Sequence, residues 1–152
     1  MLYDRSSKLV KLCDFGLSRE ERFEDHLSTV VGAKAGTPAF AAPEQLLGQV
    51  TAASTSADSK LNKGLSAACD VWAAAIMFVQ LMTGERPWRF DADELRRRYA
   101  ARQTPVLARD APSLARAFPE QTALLQRCLD VDPDHRPGFP SLLAMLRQAI
   151  ED

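Results

Sequence analysis

A mainly α-helical fold, entered through a short β-hairpin and a long irregular loop, is what this 152-residue sequence predicts. Three observations carry that expectation. Val71 to Met82, VWAAAIMFVQLM, is apolar on nearly every helical face, which places it at the centre of a domain. Two later stretches repeat apolar residues at helical spacing: Leu124, Leu125, Cys128 and Leu129, then Leu142, Leu143, Met145, Leu146, Ala149 and Ile150. Strand-like residues are confined to Met1–Cys13, where they flank the turn residues Asp4-Arg5-Ser6-Ser7.

Taken in chain order, residues 1–13 read as the hairpin, closed by Asp14-Phe15-Gly16. Leu17 to Gly36 is polar, without a sustained period, and reads as an irregular loop. Pro43 to Leu47 reads as a short helix, with proline in the first turn and Glu44 favoured by the helix dipole. Val50 to Gly64 is rich in Ala, Ser, Thr and Lys and has no apolar face, so residues 50–64 read as a flexible insertion. The central helix starts at Ser66 or Ala67 and ends at Thr83, with Gly84 as its C-terminal cap. It falls short of the ~20 apolar residues a membrane span needs. Asp91 and Glu94 have capping-box spacing and open a helix to about Arg102. Ala108 to Ala117 reads as loop, Pro119 to Leu129 as helix, Asp132-Pro133-Asp134 as a breaker, and Pro140 as the start of the last helix.

Composition narrows the function classes. Lys and Arg total 19 against 20 for Asp and Glu, a net charge of -1, which argues against a nucleic-acid or membrane footprint over the whole surface. Three cysteines, Cys13, Cys69 and Cys128, are too few for a disulfide scaffold and lack zinc spacing. They point to a reducing, intracellular compartment, and Met1 to Val10 has no signal-peptide apolar region. Arg96-Arg97-Arg98 with Arg102 is the main basic cluster. Asp91, Asp93 and Glu94 offset it, so it reads first as a solvated helix face. Trp72 and Trp88 read as core aromatics, and His26 and His135 as surface residues.

One ordered set of motifs carries chemistry. Asp14-Phe15-Gly16 alone is a weak match to anything. It is followed by Gly36-Thr37-Pro38-Ala39-Phe40-Ala41-Ala42-Pro43-Glu44, Asp70-Val71-Trp72, Gly84 with Pro87-Trp88, and Asp132-Pro133 with Arg136-Pro137. Five such matches in one order resemble the eukaryotic protein kinase family, from its activation segment through the rest of its C-terminal lobe. Gly36-Thr37-Pro38 resembles the serine/threonine branch, and the GTPAF wording is similar to calmodulin-kinase-kinase-type enzymes.

The resemblance implies a division of the chain: a hairpin at 1–13, an activation segment at 14–44, the insertion at 50–64 and a helical C-lobe at 65–152. It implies that Asp14 holds Mg2+ against ATP phosphates, that Phe15 packs into the core and that Gly16 lets the backbone turn. Gly36, Thr37, Pro38, Ala39 and Phe40 would receive the protein substrate. Ser28 and Thr29 would be regulatory phosphosites, the alternative being an ordinary solvated loop. Glu44 and Arg136 would form a structural ion pair, and Asp70 would hold the catalytic loop's backbone. Met77 and Leu81 match positions that anchor the family's hydrophobic spines. The helix carrying Arg96 to Arg98 is a common docking surface in the family.

Several family parts have no match here: the glycine-rich phosphate loop, the ATP-binding lysine, its helix glutamate and the His-Arg-Asp base. The chain therefore resembles a kinase cut just after its catalytic loop, with the N-lobe absent. ATP and Mg2+ are the cofactors expected of the complete kinase, with a protein substrate and an upstream kinase as partners; nucleic acid and membrane are not expected. The chain alone is expected to be catalytically inactive. Its central helix is expected to expose apolar surface that the missing N-terminal portion, or another protein, covers. The alternative is a non-catalytic, pseudokinase-like binding module.

Overall fold

The computed structural model describes residues 2–7, 9–13, 15, 37–51 and 66–151. Strands β1 (Leu2–Asp4) and β2 (Leu9–Lys11) pair antiparallel, with Tyr3 opposite Val10. Asp4 organises the connection, because its carboxylate accepts from the Ser6 N–H at 3.0 Å and from the Ser6 and Ser7 hydroxyls at 2.6 and 2.7 Å. These bonds hold its carboxyl down at about 2. Every described β2 side chain is exposed, and among the described residues no second layer lies against the two short strands.

A 3-10 turn at Pro38–Phe40 leads into α1 (Pro43–Thr51). Helix α2 (Ala67–Thr83) is the axis of the fold. Val71, Trp72, Ala75, Ile76 and Val79 on it are buried, and α5 and α6 and the 3-10 turns pack around it. Gly84 ends α2 at φ 76°, donating its N–H to the Gln80 carbonyl at 2.8 Å. That left-handed backbone suits glycine because a β-carbon is disfavoured there. Helix α3 (Ala92–Ala100) starts on Asp91, whose carboxylate accepts from the Glu94 N–H at 2.8 Å. Then come α4 (Leu107–Asp110), α5 (Pro112–Ala117), α6 (Pro119–Cys128), a 3-10 turn at Pro133–His135, and α7 (Phe139–Glu151).

Four expectations change. Residues 108–117 are not loop: they belong to α4 and α5, because Leu107, Ala111 and Leu114 are buried and Pro112 opens the second helix. Helix α1 runs on through Gly48 to Thr51, so the proposed insertion loses residues 50 and 51, and its residues 52–64 lie outside the described ones. Leu81 is 69% exposed and Met77 half-buried, so neither belongs to the buried core among the described residues. Leu143 is exposed, while Leu142 carries α7's contact with the core. Trp72 is fully buried and Trp88 nearly so, and His135 is exposed.

Candidate functional site

The stretch from Thr37 to Glu44 is built into the helical body from two sides. At its end, Glu44 lies in the first turn of α1, and its carboxylate meets Arg136, 92 residues later. Nη1 of Arg136 is 2.7 Å from Oε1 and Nη2 is 2.8 Å from Oε2, a two-pronged pairing of planar groups. Nη1 also donates to the Ala68 carbonyl at 2.9 Å, and Nε to the Asp130 carbonyl at 2.9 Å. The Cys69 thiol donates to Glu44 Oε1 at 3.2 Å. The guanidinium lies 5.1 Å from the Trp72 ring centre. The two side chains are 0% and 3% exposed. Two ions taken out of water are tolerable only with geometry this complete, because each lone partner would be left charged and dry. One arginine thus ties the head of α1, the start of α2 and the Asp130–Arg136 stretch together. Burial, with Glu44's charge adding, pushes the Cys69 thiol up to about 12. Burial alone pushes Cys128 up to about 11.

At its beginning, Thr37 is exposed and starts the 3-10 turn; its carbonyl accepts from the Phe40 N–H at 3.0 Å. Pro38, Ala39 and Phe40 are half-buried, and Phe40 lies against the core. The turn packs on α2 and α3. From α3, the Tyr99 hydroxyl donates to the Ala41 carbonyl at 3.4 Å. Tyr99 stands edge-on to Trp72 with centroids 5.6 Å apart and stacks on Trp88 at 6.3 Å. Trp88 in turn meets Phe90 at 5.4 Å, and Arg98 caps Phe90 at 4.0 Å. An aromatic file therefore runs from the buried ion pair to the surface of α3. Burial raises the Tyr99 phenol, so it remains a donor at ordinary pH.

Other predicted residues fall differently. Asp70 is exposed in the first turn of α2. Phe15 is 64% exposed and does not pack into a core, as β2 does not: among the described residues no second layer covers the hairpin. Asp14, Gly16, Ser28, Thr29, Gly36 and His26 lie outside the described residues. The arginine run is paired within its own helix, Arg96 with Asp93 and both Arg97 and Arg98 with Glu94, each at 2.7 Å.

Sequence reasoning missed the polar groups that hold the turn before α4. The Asp110 carboxylate accepts from Trp88 Nε1 and the Val106 N–H, both at 2.8 Å, and from Arg109. Burial raises its carboxyl, but these three donors outweigh it and hold it below the usual carboxylate range. Gln126 accepts from the Leu107 N–H at 2.8 Å and donates to the Pro105 carbonyl at 2.9 Å. Neither residue carries a sequence signal, because each acts across about twenty residues or through one backbone group.

Among the described residues no group of three or more His, Cys, Asp or Glu side chains is placed to hold a metal ion. They supply no fitting set for Mg2+, so no step through the metal or ATP is derived from them. No helix among them is long and apolar enough to cross a membrane.

The described residues thus form a buried polar clamp behind a proline-led turn, on a helical body with a central apolar helix. The family model described as protein kinase domain matches residues 1–146, and the chain belongs to that family. It is 32% identical over 147 residues to MAP kinase kinase kinase wis4 of Schizosaccharomyces pombe, covering 89% of this chain and 9% of that protein. It is 37% identical over 149 residues to human mitogen-activated protein kinase kinase kinase 11, covering 97% and 15%. It is 33% identical over 149 residues to rice CBL-interacting protein kinase 25, covering 95% and 24%. The chain thus spans under a quarter of the length of these relatives. No solved structure matches it.

Proposed function

We propose that this chain is the activation-segment and C-lobe portion of a serine/threonine protein kinase that transfers the ATP γ-phosphate to protein hydroxyls. The observation that supports this best is the double anchoring of residues 37–44, by Arg136 at Glu44 and by Tyr99 at the Ala41 carbonyl. Phosphoryl transfer depends mostly on positioning, and a rigidly seated receiving segment is one of the parts it needs. Thr37, Pro38, Ala39 and Phe40, with Gly36, receive the substrate backbone in this reading. Asp14 holds Mg2+, Asp70 holds the catalytic loop, Ser28 or Thr29 takes an activating phosphate from an upstream kinase, and Glu44 with Arg136 is structural. The site is intracellular and its substrate is a protein. MAP kinase kinase kinase relatives suggest a place above another kinase.

The sequence has no match to the family's His-Arg-Asp base, ATP-binding lysine or glycine-rich phosphate loop, so we infer no activity for this chain alone. The test begins with the native polypeptide's intact mass and N-terminal peptides in the source cell. A longer species that phosphorylates Ser/Thr peptides, and loses that activity with Thr37→Ala, is the expected result. A native species starting at Met1 with no activity would overturn the enzymatic reading. It would favour a second one, a non-catalytic binding module, for which exposed Leu81 and Met82 at the end of α2 are the supporting observation.

A further inference from the structure

Helix α3 ends in a pair of bonds that normally selects glycine. The Gln103 N–H donates to the Arg98 carbonyl and the Arg102 N–H to the Tyr99 carbonyl, both at 2.9 Å. This is the Schellman arrangement, whose left-handed position favours glycine. Arg102 occupies it at φ 55° and is the non-glycine residue with positive φ among the described ones. A bulky side chain is disfavoured there, so the guanidinium is held at a conformational cost that the helix end itself does not require.

Arg102 lines a surface hollow of about 310 Å3 between the ends of α3 and α6, together with Thr104, Gln126, Arg127, Leu129, Asp130 and Val131. Leu129 is fully buried and makes a fixed floor. Gln126 is immobilised by its bonds to Leu107 and Pro105. Arg102 and Arg127 are both exposed, and among the described residues neither guanidinium has an ion-pair or hydrogen-bond partner. Asp130, the acid of the hollow, is engaged: its carboxylate accepts from the Asp132 N–H at 2.8 Å and faces His135 at 3.5 Å, and its carbonyl is taken by Arg136. The carbonyls at the end of α3 are satisfied by the Schellman bonds, and those of Gln126 and Arg127 accept from Leu129 and Asp130 at 3.1 and 3.3 Å. The uncommitted groups are therefore donors: two guanidinium forks and the half-buried Thr104 hydroxyl.

We propose that this hollow is a binding site for a phosphate monoester carried on a protein segment, with Arg102 and Arg127 clasping the phosphate and Thr104 donating the third bond. Three donor groups match the three terminal oxygens of a phosphate better than the two of a carboxylate. The site lies apart from the segment at 37–44 and does not depend on the phosphotransferase reading.

The test uses the full chain with a phosphoserine peptide, its unphosphorylated and Ser→Glu versions, and inorganic phosphate, read by NMR shifts of the Arg102–Thr104 and Arg127–Val131 amides. Saturable shifts with the phosphopeptide, about tenfold weaker with Ser→Glu and absent without phosphate, are expected. Arg102→Gly should lose about tenfold in affinity or more while raising the melting temperature by a few degrees, because it relieves the left-handed residue. Arg127→Gln should lose comparable affinity with no change in melting temperature. Equal binding of the unphosphorylated peptide, shifts with inorganic phosphate that the peptide does not strengthen, or wild-type affinity in both variants would each overturn the proposal.

Discussion

The helical body around Arg136 and the N-terminal hairpin use the same kinds of residue to opposite effect. Val71 and Val79 on α2 are almost fully buried, whereas Val10 on β2 is 63% exposed. Cys69 and Cys128 are buried and Cys13 is exposed. Glu44 is sealed against Arg136, whereas Asp4 satisfies itself within its own turn, in water. Apolar sequence does not bury a residue; neighbours on a second layer do, and among the described residues α2 has them while the strands do not. The body is held by contacts across the chain, the hairpin by contacts across two or three residues.

The contrast can be broken by mutation. Glu44→Ala or Arg136→Ala is expected to cost about 3–5 kcal/mol in urea unfolding, because each strands a buried charge. The double mutant should lose little more than either single, and strict additivity would mean the two do not act as a pair. Leu129→Ala should cost about 2–4 kcal/mol, since the side chain is fully enclosed, while Val10→Ala should stay within about 0.5 kcal/mol. A comparable loss at Val10 would show that the hairpin is packed after all.

Smaller effects sharpen it. Under native conditions an alkylating reagent should modify Cys13 promptly and spare Cys69 and Cys128 until the chain unfolds, as mass spectrometry of timed samples would show. The burial that lifts Cys69 to about 12 also has a pH consequence. A group raised in the folded state supports folding below its unfolded value near 8.5 and loses that support as pH climbs towards 12. Alkaline titration should therefore destabilise the body, and Cys69→Ala should blunt that slope. The least effect is at Asp4. Its folded value near 2 lies below the unfolded 3.9, so its contribution is present above pH 4 and fades as pH falls to 2. Only the Ser6 and Ser7 amide signals of the turn should move, not the melting of the helices.

Much of the body could be read from residue order. VWAAAIMFVQLM announces a central helix, and Gly84 and Asp91 mark an end and a beginning by local chemistry that acts within four residues. The motif order from Asp14 to Arg136 identifies the family without any contact being known. What was not legible is whatever depends on distant partners. Residues 108–117 lack a periodic stripe, and their two short helices exist because Leu107 and Leu114 find α6 and α2 to lie on. Asp110 and Gln126 bond across about twenty residues, which no spacing rule encodes. Leu81 sits in an apolar run, yet it is 69% exposed at the end of α2.

The clasp of Arg136 on Glu44 sets a clock for biosynthesis. Glu44 leaves the ribosome 92 residues before its partner, an interval of about 5–20 s at ordinary elongation rates. Throughout that time its carboxylate lacks the guanidinium it is buried with in the folded chain. The tie between the head of α1, the start of α2 and the Asp130–Arg136 stretch can form only after Arg136 has emerged.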